Sequence, residues 1–231
     1  MPAESTKARA VVLLSGGMDS CVCASWAARD FEAAAVHVSY GQRTEARERR
    51  AFTEICDRLG IAHRLVVRNE ALQAIGGSAL TDKSIAVPES RTLGQGVPVT
   101  YVPFRNAHLL AVAVSWAEVL GADNVFIGAV EPDSSGYPDC RPAYYEAFNQ
   151  VVKAGTEHGR IRIVTPLIAM RKVEIVRLGL ELGAPFDLTW SCYSREDRAC
   201  AVCDSCVLRL RAFQEAGAAD PIPYEEAEVR R

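Results

Sequence analysis

The sequence predicts an α/β fold: a doubly wound, mainly parallel five-stranded sheet with a small four-cysteine segment at its carboxyl end. Three observations carry that expectation. Short apolar runs alternate with longer stretches of helical spacing along most of the chain, the pattern of strand–helix–strand units. The first run opens directly into a glycine turn and a helix of small residues. The one shift in composition falls near Trp190, where cysteines gather, and it divides the chain into an α/β domain over 1–188 and a segment over 189–231 packed on it.

With 231 residues the chain can bury one sizeable core. Hydrophobic residues at 49% and charged ones at 24% are ordinary for a soluble domain. No apolar run approaches the ~20 residues of a membrane span. A net charge of −3 without a basic run speaks against bulk nucleic-acid binding. The opening MPAESTKARA contains an acid and leads into a short apolar run, a poor secretion signal, so the expected location is cytoplasmic. In that compartment eight cysteines read as metal ligands or buried thiols, not as a disulfide framework.

Residues 11–20 read VVLLSGGMDS, a buried strand, a turn and a helix start. Such a turn lets the backbone approach a polyanion, and the unpaired N–H groups of the helix start point at it. Leu14, Ser15, Gly16, Gly17, Met18, Asp19 and Ser20 are therefore the candidate phosphate-binding residues. The serines add hydroxyl donors. Asp19 would repel a bare phosphate and suits a magnesium ion carried by it. No Gly-Lys-Ser/Thr follows the glycines, so this is not the Walker loop. SGGMDS resembles the pyrophosphate-binding loop of the PP-loop ATP pyrophosphatases, which split ATP into AMP and pyrophosphate while adenylating a substrate.

The rest of the chain follows in register. Ala33–Ser39 reads as a second strand with His37 as a core histidine, and Tyr40, Gln42 and Arg43 sit just beyond its carboxyl end, where open α/β sheets gather ligands. Glu45–Leu59 is an amphipathic helix and Arg64–Val67 a third strand. Residues 69–100 lack periodicity and read as a long functional loop or a disordered one. Arg105 and Asn106 open an apolar helix reaching Leu120; Arg105 is either an anion ligand or an exposed first-turn arginine. Asn124–Val130 is a fourth strand, followed by a polar stretch with Glu131, Asp133, Tyr137 and Asp139 that suits a small-molecule pocket. Arg141-Pro142 starts a helix to about Glu157, Ile161–Thr165 is a fifth strand, and Lys172 heads a helix to Leu182. Spacing leaves Lys172 open between a phosphate ligand and a solvated lysine.

Cys192, Cys200, Cys203 and Cys206 form C-x7-C-x2-C-x2-C. Four thiolates close a tetrahedral shell around zinc and leave no open position, so the ion would be structural. An iron–sulfur cluster is the rival, although the distant fourth cysteine followed by proline is missing. Cys21, Cys23 and Cys56 read as buried thiols, and Cys140 as a thiol in the pocket whose reactivity stays open.

SGGMDS, YGQR, VPFRN, SGYPDCRP and the tail cysteines occur in order, and with them the chain resembles the 7-cyano-7-deazaguanine synthase family from about Ala10 to Pro223. That resemblance implies strand order 3-2-1-4-5 and an ATP-dependent carbon–nitrogen ligase of queuosine biosynthesis. Its substrates would be 7-carboxy-7-deazaguanine and ammonia, with Mg²⁺ and one structural Zn²⁺, no nucleic acid, no membrane and a homodimer as one assembly. On this reading Asp19, Arg105 and Lys172 are the candidates for catalysis, and Tyr40, Gln42, Arg43, Glu131, Asp133, Tyr137 and Asp139, placed by strand ends and side-chain chemistry, are the candidates for contact with the substrate. Rival readings are transfer of the adenylated acid to another amine, tRNA thiolation, and a zinc-bearing module that binds nucleotide without turnover. Two departures stand out: Phe104 where many members have Gly or Ala, and Ala201 where a glycine often stands.

Overall fold

Strands β1 (Arg9–Leu13), β2 (Glu32–Ser39), β3 (His63–Arg68), β4 (Asn124–Ile127) and β5 (Arg162–Val164) form one sheet in the order β3-β2-β1-β4-β5. Every pairing is parallel. These elements come from a computed structural model that describes residues 7–89, 96–132 and 136–225. Asp133 lies outside the described residues. The helices are α1 (Met18–Asp30), α2 (Glu45–Arg58), α3 (Glu70–Ile75), α4 (Arg105–Leu120), α5 (Pro142–Gly155), α6 (Lys172–Glu181) and α7 (Asp204–Ala216).

The period of two in β1 sorts the core into two layers. Ala10 and Val12 face α1, α2 and α6, in a cluster that also takes in Cys192, Cys206 and Phe213 of the carboxyl-terminal segment. Val11 and Leu13 face the opposite side, against Leu110 and Ala113 of α4 and Val152 of α5. Both sheet faces are covered, which is why the central strands read as unbroken apolar runs. The tail thus shares its hydrophobic cluster with the sheet. Among the described residues no helix is long and apolar enough to cross a membrane.

Strand order reverses direction at β1, whose neighbours are β2 and β4, and the crevice beyond their carboxyl ends is the expected ligand position. Two expectations about elements need correction. The fourth strand ends at Ile127, not Val130, because Gly128 passes against the first turn of α1: a Cβ there would fall 2.8 Å from the Asp19 carbonyl oxygen. The 69–100 stretch is not structureless where it is described. It holds α3, capped by Asn69, whose side chain accepts from the Leu72 N–H, and it buries Ser78, Leu80 and Thr81.

Candidate functional site

The phosphate loop is set by three close approaches. Gly16 has φ +93°, and a Cβ on it would meet the Ala51 Cβ and the Glu48 carbonyl oxygen at 2.8 Å, so only glycine fits between β1 and α2. The Trp190 N–H donates to the Gly16 carbonyl at 2.8 Å and ties the loop to the tail segment. Within the loop the Gly17 N–H donates to Ser15 Oγ at 3.2 Å, and Ser20 Oγ donates to the Gly17 carbonyl at 2.9 Å. Met18 starts α1, so the loop backbone runs into a helix amino terminus.

Asp19 is held by the ammonium of Lys172, at the amino terminus of α6. Its other oxygen, Oδ1, is buried without a hydrogen-bond partner among the described residues, which fits a carboxylate that takes a cation.

A cavity of about 300 Å³ opens over this loop at the carboxyl ends of β1 and β4. Its wall takes in the loop, Asp19 and Lys172 together with Tyr40, Tyr137, Tyr193 and Arg105. Arg105 donates to the Tyr40 hydroxyl at 3.1 Å, and its guanidinium carbon lies 5.6 Å and 5.9 Å from the Tyr40 and Tyr137 ring centres. Burial opposes its charge, but Tyr40, Tyr137 and Asp139 together raise its pKa, so it stays a cation. Phe104 precedes it in the left-handed region, φ 56°, and this bend lets α4 start with Arg105 turned into the cavity.

The remaining sequence-named residues divide. Gln42 and Arg43 line the cavity. Gln42 accepts from the Tyr40 N–H at 2.8 Å and donates to Glu48 at 2.9 Å. Arg43 spends its guanidinium on the carbonyls of Ala79, Asp82 and Ile85, and so pins the 78–85 loop over the cavity. Glu131 is exposed and outside the wall, with its N–H on the Ile168 carbonyl at 2.9 Å. Asp139 is also outside the wall; it accepts from the Asn106 N–H at 3.0 Å and caps α4. Cys140 lines the cavity, but burial and Asp139 push its thiol up to about 11, so it stays protonated at neutral pH. His37 is a core residue that bonds the Leu14 carbonyl at 3.2 Å, and burial lowers its pKa. Burial pushes the Cys21 and Cys56 thiols up to about 12.

Sequence reasoning missed Glu48, Tyr193 and Arg209, all in the wall. Glu48 and Arg209 sit at charged helix positions, and Tyr193 follows the first tail cysteine; none belongs to a recognisable spacing.

In the tail, the sulfurs of Cys192, Cys200, Cys203 and Cys206 all lie within 4.8 Å of one another. A tetrahedral zinc with Zn–S near 2.3 Å puts its sulfurs about 3.8 Å apart, so the four residues fit such an ion. Backbone N–H groups of Ser194 and Cys200 point at the Cys192 sulfur at 3.4 Å, which favours a thiolate. Thiol donation from Cys203 and Cys206 lowers the pKa of Cys192, and the same contact pushes Cys203 up to about 12. The cluster as a whole could hold a metal ion.

Ala201 takes φ 60° in the cysteine loop, a conformation that penalises any Cβ. Ala201→Gly is expected to stabilise the fold by about 1 kcal/mol, a rise of about 2–4 °C in melting temperature. A lower melting temperature would count against strain at this position.

The family model described as "Queuosine biosynthesis protein QueC" matches residues 9–217. A protein of Koribacter versatilis named 7-cyano-7-deazaguanine synthase is 69% identical over 220 residues, covering 94% of this chain and 93% of its own. Its namesake from Acidobacterium capsulatum is 66% identical, covering 94% and 96% of the two chains. A third protein of that name, from Chlorobium phaeobacteroides, is 58% identical, covering 94% and 97%. A match across the sheet, the phosphate loop and the cysteine segment together leaves one conclusion: the chain belongs to the QueC family of queuosine biosynthesis proteins.

Proposed function

We propose that the chain is an ATP-dependent ligase that converts 7-carboxy-7-deazaguanine and ammonia into 7-cyano-7-deazaguanine. The observation that carries this reading is one cavity whose wall combines the glycine–serine turn with Arg105 and three tyrosines. A carboxylate resists ammonia because its charge is delocalised and oxide is a very poor leaving group. Adenylation turns it into a mixed anhydride with AMP as leaving group. Repeating the step on the amide oxygen makes nitrile formation possible, and one site serves both rounds because the deazaguanine base is unchanged.

Each residue then has a task. Ser15, Gly16, Gly17 and Ser20 receive the outer phosphates, while Lys172 and Arg105 offset charge that develops as pyrophosphate leaves. Asp19, with its unpartnered buried Oδ1, would hold Mg²⁺, which neutralises phosphate charge when bound. Tyr40 and Tyr137 offer ring faces to the base. The four tail cysteines would hold a zinc ion with no open position, a structural clamp that takes no part in the bond changes.

The test is a product analysis. Mg-ATP, ammonium and the carboxydeazaguanine are expected to yield the cyano compound with AMP and pyrophosphate. Amide as the sole product would overturn the nitrile step, and ADP in place of AMP would overturn the adenylation.

A further inference from the structure

Among the described residues two carboxylates, Asp19 and Glu48, line the cavity, and their neighbours differ. Asp19 is engaged by Lys172. Glu48, in the first turn of α2, has neutral partners: Gln42 Nε2 donates to its Oε2 at 2.9 Å and Thr44 Oγ1 to its Oε1 at 3.0 Å. Those bonds leave about two lone-pair sites of the carboxylate open. Glu48 is also fixed beside the phosphate loop, because its own carbonyl is one of the two atoms that forbid a Cβ on Gly16. The charged groups whose fields reach it are Arg105 from α4 and Glu45 from its own helix, and its own charge acts on the Tyr40 hydroxyl.

The proposed reaction, on which this inference rests, must dispose of protons. When ammonia attacks the acyl adenylate, a C–N bond forms, AMP leaves with the C–O electron pair, and the nitrogen sheds one proton. After the amide oxygen has displaced pyrophosphate from ATP, the second C–O bond breaks to release AMP. The C≡N bond is completed only as the nitrogen sheds its two remaining protons. We infer that the Glu48 carboxylate is the base that takes these protons from the substrate nitrogen and returns them to solvent.

The electrostatics agree with that role. Burial pushes the Glu48 carboxyl up to about 7, against the bonds from Gln42 and Thr44 and the field of Arg105. A base titrating near the working pH combines a large ionised fraction with useful basicity. The position is also held against stability. A carboxyl whose folded pKa is raised contributes stability that is full below its unfolded pKa and is lost as pH rises through about 7. Glu48→Gln should therefore melt no lower than the native protein at about pH 8.

Exchange of pyrophosphate into ATP, driven by the carboxydeazaguanine without ammonia, needs adenylation but no base. Glu48→Gln is expected to keep that exchange within about threefold while nitrile formation falls about 10²-fold or more. The native kcat is expected to rise with pH through an inflection near 7 that the variant lacks. If the native protein shows no exchange, the proposed function fails, and this inference with it. If native exchange is normal, equal losses of exchange and product in the variant would overturn the base role. A raised KM for the acid with kcat unchanged would also overturn it, and would assign Glu48 to base recognition.

Discussion

Cys206→Ser is expected to yield a chain that purifies without its metal and melts at least 10 °C below the native protein, an effect of about 5 kcal/mol or more. Structural zinc supplies roughly 10–16 kcal/mol of apparent binding energy in small domains, and binding of that kind is folding energy wherever the apo site is not preformed. Here part of the site is supported by other packing, since Cys192, Cys203 and Cys206 belong to the same buried cluster as α1 and α6. The expected loss is therefore smaller than in an isolated finger. It should still reach the catalytic end. The tail that a metal would clamp also carries Trp190, whose N–H holds the Gly16 carbonyl, and Tyr193, which walls the cavity. Elemental analysis should give one zinc per native chain and none in the variant, and a strong chelator should lower the native melting temperature toward that of the variant. Iron in place of zinc would replace the closed-shell clamp with a cluster. An unchanged melting temperature in metal-free protein would end the clamp argument.

How much of this was visible in the sequence depended on whether a feature was local. The strand, glycine turn and helix at 9–30 were legible because periodicity and glycine placement act within a few residues. The four-cysteine cluster was legible for the same reason: C-x7-C-x2-C-x2-C keeps all four sulfurs within 15 residues of sequence, and they lie within 4.8 Å of one another. Helix α3 was not, because a six-residue helix shows no period; it is held by the Asn69 cap and by Leu72 packing on Tyr40 and Leu80. Glu48 was hidden by context. It sits on a helix rich in charged residues, and only the approach of α2 to Gly16 turns its first turn inward. The substrate pocket divided on the same ground: Tyr137 reached the cavity wall, while its near neighbours Glu131 and Asp139 did not.

Arg209 shows the same lesson with a measurable consequence. In sequence it is one of two arginines on α7, yet its side chain is 1% exposed and faces Asp220 at 3%. The pair is bidentate, with Nε to Oδ2 at 2.8 Å and Nη2 to Oδ1 at 2.9 Å. Its remaining donors go to Thr189 Oγ1, Ser191 Oγ and the Phe186 carbonyl. Asp220 in turn accepts from the Tyr224 hydroxyl at 2.6 Å, so the network fastens the last described residues to α7 and to the Trp190 loop. Desolvating both charges cancels most of their attraction, so the pair itself adds little net stability. Removing one partner is a different matter. Asp220→Ala strands a guanidinium with no counter-charge in a buried position, and the expected loss is about 3–5 kcal/mol, read as a lower urea midpoint at unchanged slope. Replacing both residues, Arg209→Met with Asp220→Ala, should recover most of that loss, because no buried charge is left unpaired. A single variant that loses less than about 1 kcal/mol would mean that water reaches the guanidinium and the network is not sealed.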